Sequence, residues 1–420
     1  MTQTLPELSG SRILFLDNIR YLMVVFVVLL HAALSYGNPL SAWYVWDAAA
    51  NMEFFVLTTM IIDVFAMPVL FFIAGYFALP NIQKKGTTVF LKDKFIRLGI
   101  PLLIAIIFIV PLYCYITQHK KPGGQQLLSY GQFWIDWIKN ASDFHTGFLY
   151  PDTMNLSFNH SAYWFISLLL FFFIVFGIIY ALKERLFPSS SIQEKTHSGK
   201  TMLLVMIFTG FLSIIISGLN PIFPYPYPDP WVIIASVLQF QAWRLSAYII
   251  YFTLGVYAFS RNWFVKDNNF PGHPILWILI CITLCFSFAI IMINLLSDLT
   301  NAGLIISYMF LRSFLRTTFL ILFASIAFRY WNRPNKVNET LAANSYNIYL
   351  VHLPLVVVLQ LLLVNLMGTS SLIKFGIVFS LSFLMSYAIS NYAIKPHPRL
   401  SIAAVGVIFI LMVIFVYPQV

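Results

Sequence analysis

Residues 14 to 36 read LFLDNIRYLMVVFVVLLHAALSY. The run is long enough to cross a hydrocarbon layer about 30 Å thick as a helix, yet it carries Asp17, Asn18, Arg20 and His31. An ionisable side chain at that depth costs about 3 kcal/mol or more unless it faces a protein interior or a wet cavity. Ten residues separate Arg20 from His31. Eleven helical steps come to about three turns, so both lie on one face roughly 16 Å apart along the axis. Alone, Arg20 reads as a snorkelling side chain and His31 as a packing histidine; on one face together, they mark a helix that lines a site.

The rest of the chain extends this reading. Of 420 residues 60% are hydrophobic and only 10% charged, far below the quarter or so that soluble domains carry. The expected fold is an all-α polytopic transmembrane bundle of about 10–11 helices, forming one domain over residues 1–420 with no soluble domain. Apolar runs place helices near 14–36, 54–79, 96–117, 162–182, 201–219, 231–258, 275–297, 302–328, 341–366, 372–393 and 400–417. With a cytoplasmic N-terminus, the inner segments hold 17 Lys and Arg and the outer segments only Lys120, Lys121 and Lys139, as the positive-inside rule requires. The net charge of +10 is thus a collar facing anionic lipid, and no nucleic-acid partner is expected. Cys114, Cys281 and Cys285 lie in apolar runs, so neither a disulfide framework nor a metal site is expected. Asp17 and Arg20 interrupt the first run, which argues against a cleaved signal peptide.

The polar residues inside the runs are few. Besides Arg20 and His31 they are Asp63, Gln239, Gln241, Arg244, Arg312, Arg316, Asn344, Ser345, Asn347 and His352. Asp63 reads by default as an ion-pair partner for one of the arginines. Four arginines against one aspartate leave a positive surplus, which points to a phosphate-bearing ligand or a deep aqueous vestibule. Arg312 and Arg316, at i and i+4, make a candidate clamp. Lys94 and Arg97, three apart where a loop enters the third helix, are a second basic pair. His31 and His352 are the acid–base candidates. No serine elbow, H-E-x-x-H or Walker pattern is present. The outer loops carry Trp43, Tyr44, Trp46, Tyr130, Trp134, Trp137 and Tyr150, with a proline-rich cap at 221–231. These read first as interfacial belt residues and second as surfaces that stack on sugars.

Several ordered pieces resemble the acyltransferase-3 family of integral-membrane enzymes, and within it a glucan-modifying branch. They are LDNIR with Arg20-x10-His31, FFIAGYF at 71–77, KDKFIRLGIPLL at 92–103, YWFISLLL at 163–170, YFTLGVYA at 251–258 and SYNIYLVHLPL at 345–355. The resemblance implies transfer of an acetyl or succinyl group from cytoplasmic acyl-CoA to a hydroxyl of an extracytoplasmic or membrane-linked glycan, in a bacterial inner membrane. It makes His31 the catalytic candidate with Arg20 as its partner, and Lys94, Arg97, Arg312 and Arg316 the donor-binding candidates. Asp63, Arg244, His352 and Trp164 become substrate-binding candidates. The chain departs from the family in having Lys92, Asp93 and Lys94 where arginines are common, and Ala74 before Gly75. A secondary transporter of an anionic solute is the competing reading, since buried arginines and histidines also serve transport; the sequence shows no paired repeats of the transporter kind.

Overall fold

The structure is a computed structural model that describes residues 13–37, 43–47, 52–118, 129–149, 158–186, 199–218, 231–264, 273–298, 301–366 and 369–416. Its long helices are α1 (Leu14–Ala33), α2 (Glu53–Lys85), α3 (Thr87–Thr117), α5 (Trp164–Leu186), α6 (Gly199–Gly218), α7 (Ala242–Ser260), α8 (Pro274–Ser297), α9 (Ala302–Tyr330), α10 (Lys336–Leu363), α11 (Ser371–Ile394) and α12 (Pro398–Phe415). Among the described residues, 9 helical spans are long and apolar enough to cross a membrane. The all-α polytopic bundle is therefore observed.

Three local readings change. The expected helix at 231–258 begins as a hairpin, β2 (Trp231–Ile234) and β3 (Leu238–Gln241), so Gln239 and Gln241 sit on a strand. The cause is at the turn, where Ala235 and Ser236 adopt positive φ and close the two strands. β2 also pairs with a short β1 (Gly147–Leu149). The third helix starts at Thr87, so Lys92 and Lys94 are helical, not in a loop. A further helix, α4 (Tyr130–Ser142), was hidden in the outer loop; a Ser129–Gln132 capping box starts it. The outer-loop residue Tyr150 and most of the proline-rich cap lie outside the described residues.

Helices α2 and α7 cross at Gly75 and Gly255. A Cβ on Gly75 would collide with the backbone of Phe252, and one on Gly255 with the backbone of Phe72. Small residues let helix backbones touch where lipid removes the hydrophobic drive for association. The glycines of FFIAGYF and YFTLGVYA therefore serve one crossing. It fixes Phe71 against Tyr248 at 4.8 Å between ring centroids, and sets Asp63 of α2 beside Arg244 of α7.

Three prolines inside helices, Pro101, Pro111 and Pro354, organise further contacts between elements. Proline has no N–H, so the carbonyl four residues earlier loses its helical donor, and in hydrocarbon another donor must replace it. Pro101 leaves the carbonyl of Arg97, which accepts from the Tyr346 hydroxyl at 2.7 Å. Pro111 follows a π turn and leaves the carbonyls of Ile106 and Ile107; these accept from the indoles of Trp137 and Trp134 at 3.0 and 2.8 Å. Pro354 leaves the carbonyl of Leu350, which accepts from the Tyr163 hydroxyl at 2.7 Å. Each break is thereby a docking point for an aromatic side chain of another element.

Candidate active site

The site is the seam between α1 and α10, which run parallel. Near the start of α1, Asn18 donates to the carbonyl of Trp331 at 2.7 Å and the Tyr21 hydroxyl to Asn338 at 2.9 Å. Arg20 pairs with Asp17 at 3.0 Å. Its guanidinium also donates to the carbonyl of Ala342 at 3.1 Å and to the Ser345 hydroxyl at 3.4 Å. Its side chain still keeps 36% exposure. Since Tyr346 holds the carbonyl of Arg97, Arg20 and Arg97 flank adjacent residues of α10. Arg97 is exposed. Lys94 lies over the Phe173 ring at 3.9 Å, a cation–π seat beside that end.

Three turns along α1, Nδ1 of His31 lies 2.8 Å from Nε2 of His352. Nδ1 of His352 lies 2.7 Å from the carbonyl of Tyr349. A carbonyl only accepts, so His352 Nδ1 carries the hydrogen. Neutral His352 then presents a bare Nε2, His31 Nδ1 donates to it, and the lone pair of His31 is left on Nε2. Two hydrogen bonds thus settle the tautomer of the pair. His352 is wholly buried, whereas His31 is partly open.

The sequence around His352 explains its position. Tyr349 donates to the carbonyl of Ala162, and Tyr163 returns a hydrogen bond to the Leu350 carbonyl freed by Pro354. The pair of bonds locks the turn before α5 to α10 one helical turn before His352. Inside that turn, buried Ser161 adopts φ of 48°, a left-handed conformation that only a well-determined surround sustains. Its hydroxyl accepts from Tyr44 at 2.5 Å. The preceding His160 is held by Gln239, which accepts its backbone N–H at 2.6 Å, and by the Ser236 carbonyl 3.1 Å from its Nε2. Burial pushes the His160 imidazole down to about 4.

A second polar centre surrounds Asp63. Its carboxylate accepts from both Arg244 and Arg312, and Arg312 also donates to the Tyr308 hydroxyl at 2.5 Å. Arg312 and Arg316 are each 3% exposed, while Asp63 keeps 27% side-chain exposure. The cluster therefore has an open edge at the carboxylate. α9 runs antiparallel to α1, with Phe323 against Phe26 and Phe328 against Phe15. Arg316 and Arg312 lie seven and eleven residues beyond Phe323, roughly 10 and 16 Å toward the His31 end. Arg20 and the donor-binding candidates Arg97, Arg312 and Arg316 thus form two groups, Arg20 with Arg97 at one end, and Arg316 near the level of His31 with Arg312 a turn beyond it. Trp164 packs between Trp231 and Tyr248 at 5.4 and 5.5 Å, which links this centre to the hairpin.

Sequence reasoning missed Gln360 and Lys374. Gln360 is buried and donates to the carbonyls of His31 and Ala32 at 3.0 and 3.2 Å, which are orphaned as α1 tightens into a 3₁₀ turn at Leu34–Tyr36. Lys374 forms a buried ion pair with Asp47 at 2.7 Å. The polarity of both residues in apolar runs was the available signal. Among the described residues, no group of His, Cys, Asp or Glu could hold a metal ion.

An acyltransferase domain of the acyltransferase-3 type matches residues 13–391. The chain belongs to that family. The match spans α1 through the last turn of α11 and so includes both polar centres. No curated protein and no solved structure matches the chain. The protein is a multi-pass membrane acyltransferase.

Proposed function

We propose that this acyltransferase moves an acetyl or succinyl group from cytoplasmic acyl-CoA to a hydroxyl of an extracytoplasmic or membrane-linked glycan, with His31 as general base. The observation that carries the reading is the one-way hydrogen-bond chain from His31 through His352 to the Tyr349 carbonyl. It leaves His31 Nε2 as a base whose partner steadies the cation formed after proton uptake. The acceptor O–H gives its proton to His31 Nε2 as its oxygen adds to the thioester carbonyl. The tetrahedral intermediate then collapses, the C–S bond breaks, and the proton passes from His31 to the departing sulfur.

The axial separation of Arg20 and His31 supports the choice of donor. A phosphopantetheine arm has about 13 bonds between sulfur and phosphorus, roughly 16 Å when extended at the reach of a polypeptide backbone. Phosphates held by Arg20 and Arg97, with Lys94 close by, would then bring the thioester to His31. The Asp63, Arg244, Arg312 and Arg316 group and Trp164 are left to the acyl or acceptor end. With the charge-asymmetric loops, Arg20 faces the cytoplasm and His31 the opposite side of a bacterial inner membrane.

The test is incubation of the purified protein in nanodiscs with radiolabelled acetyl-CoA or succinyl-CoA and candidate glycans, beside His31→Ala. Free CoA and labelled glycan formed only with His31 present are expected. Transfer by His31→Ala at the parent rate would overturn the reading.

A further inference from the structure

The imidazole of His31 has a second neighbour that the hydrogen-bond chain does not require. Trp43 lies against it with ring centroids 5.3 Å apart and planes 10° from parallel, while His352 meets the edge of the same ring through the hydrogen bond to Nδ1. The indole N–H donates to the Gln360 side chain at 2.8 Å. Gln360 in turn holds the carbonyl of His31 itself. Backbone, ring and indole of the His31 neighbourhood are therefore tied through one glutamine.

The segment that carries Trp43 is fastened independently. The Ser35 hydroxyl donates to the carbonyl of Val45 at 2.6 Å, and the backbone N–H of Asp47 donates to the carbonyl of Ser35 at 3.0 Å. Asp47 then pairs with Lys374 of α11, both side chains nearly inaccessible at 6% and 4%. A buried ion pair of this kind contributes little net stability against an apolar replacement, whereas removal of one partner is costly. Its geometry fixes where the segment lies.

We propose that Trp43 is a positioning residue that fixes the ring plane of His31 and covers it against water, so that an activated acyl group reaching His31 passes to an acceptor hydroxyl instead of being hydrolysed. The inference rests on the acyl-transfer reading. Any acyl thioester is open to water once a general base stands free beside it, because the base takes a proton from water as readily as from an alcohol. Addition of water to the carbonyl gives the free acid and thiol, with no other reactant needed. Exclusion of water by a closed apolar surface is the available remedy.

Two measurements separate this idea from the reading beneath it. The first needs no turnover: modification of His31 by diethylpyrocarbonate, followed by mass spectrometry of its peptide, in the parent, Trp43→Ala, Trp43→Phe and Lys374→Met. Trp43→Ala and Lys374→Met should react at least tenfold faster than the parent, and Trp43→Phe should stay close to it. Equal rates in all four would overturn the cover, whatever the enzyme does. The second is the ratio of hydrolysed to transferred acyl group with the labelled donor. Trp43→Ala should raise it at least tenfold and Trp43→Phe should largely restore it, with the donor KM unchanged. A fall in both products at constant ratio would mean that Trp43 only supports the fold. Absence of both products in the parent would sink the acyl-transfer reading and leave the modification result standing.

Discussion

The two polar centres of the bundle use membrane depth in opposite ways. The His31–His352 pair is held by directional hydrogen bonds that leave one nitrogen uncommitted, whereas the Asp63 centre binds one carboxylate to two guanidinium groups. The first arrangement keeps a reactive lone pair available at small structural cost. The second sets buried charges against one another, so removal of one partner is costly.

The largest expected effect separates them directly. His352→Leu removes the acceptor for His31 Nδ1 and frees the imidazole to adopt the wrong tautomer. Acyl transfer should drop about 10²-fold to 10⁴-fold, while the unfolding midpoint in detergent stays within a few degrees. His352→Gln, which keeps an acceptor, should recover part of the rate. Equal activity of the parent and His352→Leu would show that the pair is a packing contact.

At the other centre the order reverses. Asp63→Asn leaves Arg244 and Arg312 without their carboxylate and should cost about 3 kcal/mol, read as a lowered unfolding midpoint. An unchanged midpoint with a raised KM for one substrate would instead assign Asp63 to binding.

A histidine outside both centres sharpens the contrast, because buried His160 is enclosed by the hairpin and the start of α5. Its folded value of about 4 lies below the 6.5 of an exposed imidazole. As pH falls from 6.5 to 4, the unfolded chain takes up a proton that the folded chain refuses. The contribution of this group to stability should be full above pH 6.5 and fall by about 3 kcal/mol by pH 4, at about 1.4 kcal/mol per unit. His160→Asn should flatten that acid limb in a pH series of unfolding midpoints; an identical limb would assign the loss to other groups. The smallest effect belongs to Tyr163→Phe, which strands the Leu350 carbonyl beside Pro354. It should lower stability by about 1 kcal/mol and transfer by a few fold, with the rate loss expected in kcat.

Much of this was legible one helix at a time. The Arg20-x10-His31 spacing places two residues on one face because an α-helix has a fixed rise and twist, and the loop charges set the alternation of the spans. The default assignment of Asp63 as an ion-pair partner agrees with its contacts to Arg244 and Arg312. The hairpin at 231–241 was not legible, because four-residue strands rich in Val, Ile and Phe read the same as the head of an apolar helix. Nor was α4, whose Ser129–Gln132 cap is only a short local signal.

The sequence by itself determined the helical bundle, its alternation, the candidate histidines and the family resemblance, since each depends on local periodicity or on residues close together along the chain. Only the tertiary structure decided which proline-freed carbonyl meets which aromatic side chain, that Gly75 and Gly255 share one crossing, and that the arginines divide into two groups. It also set His31 between His352 and Trp43, residues 321 and 12 positions away. Contacts of this kind depend on how helices pack across the bundle, and helical spacing carries no information about the partner on the other side.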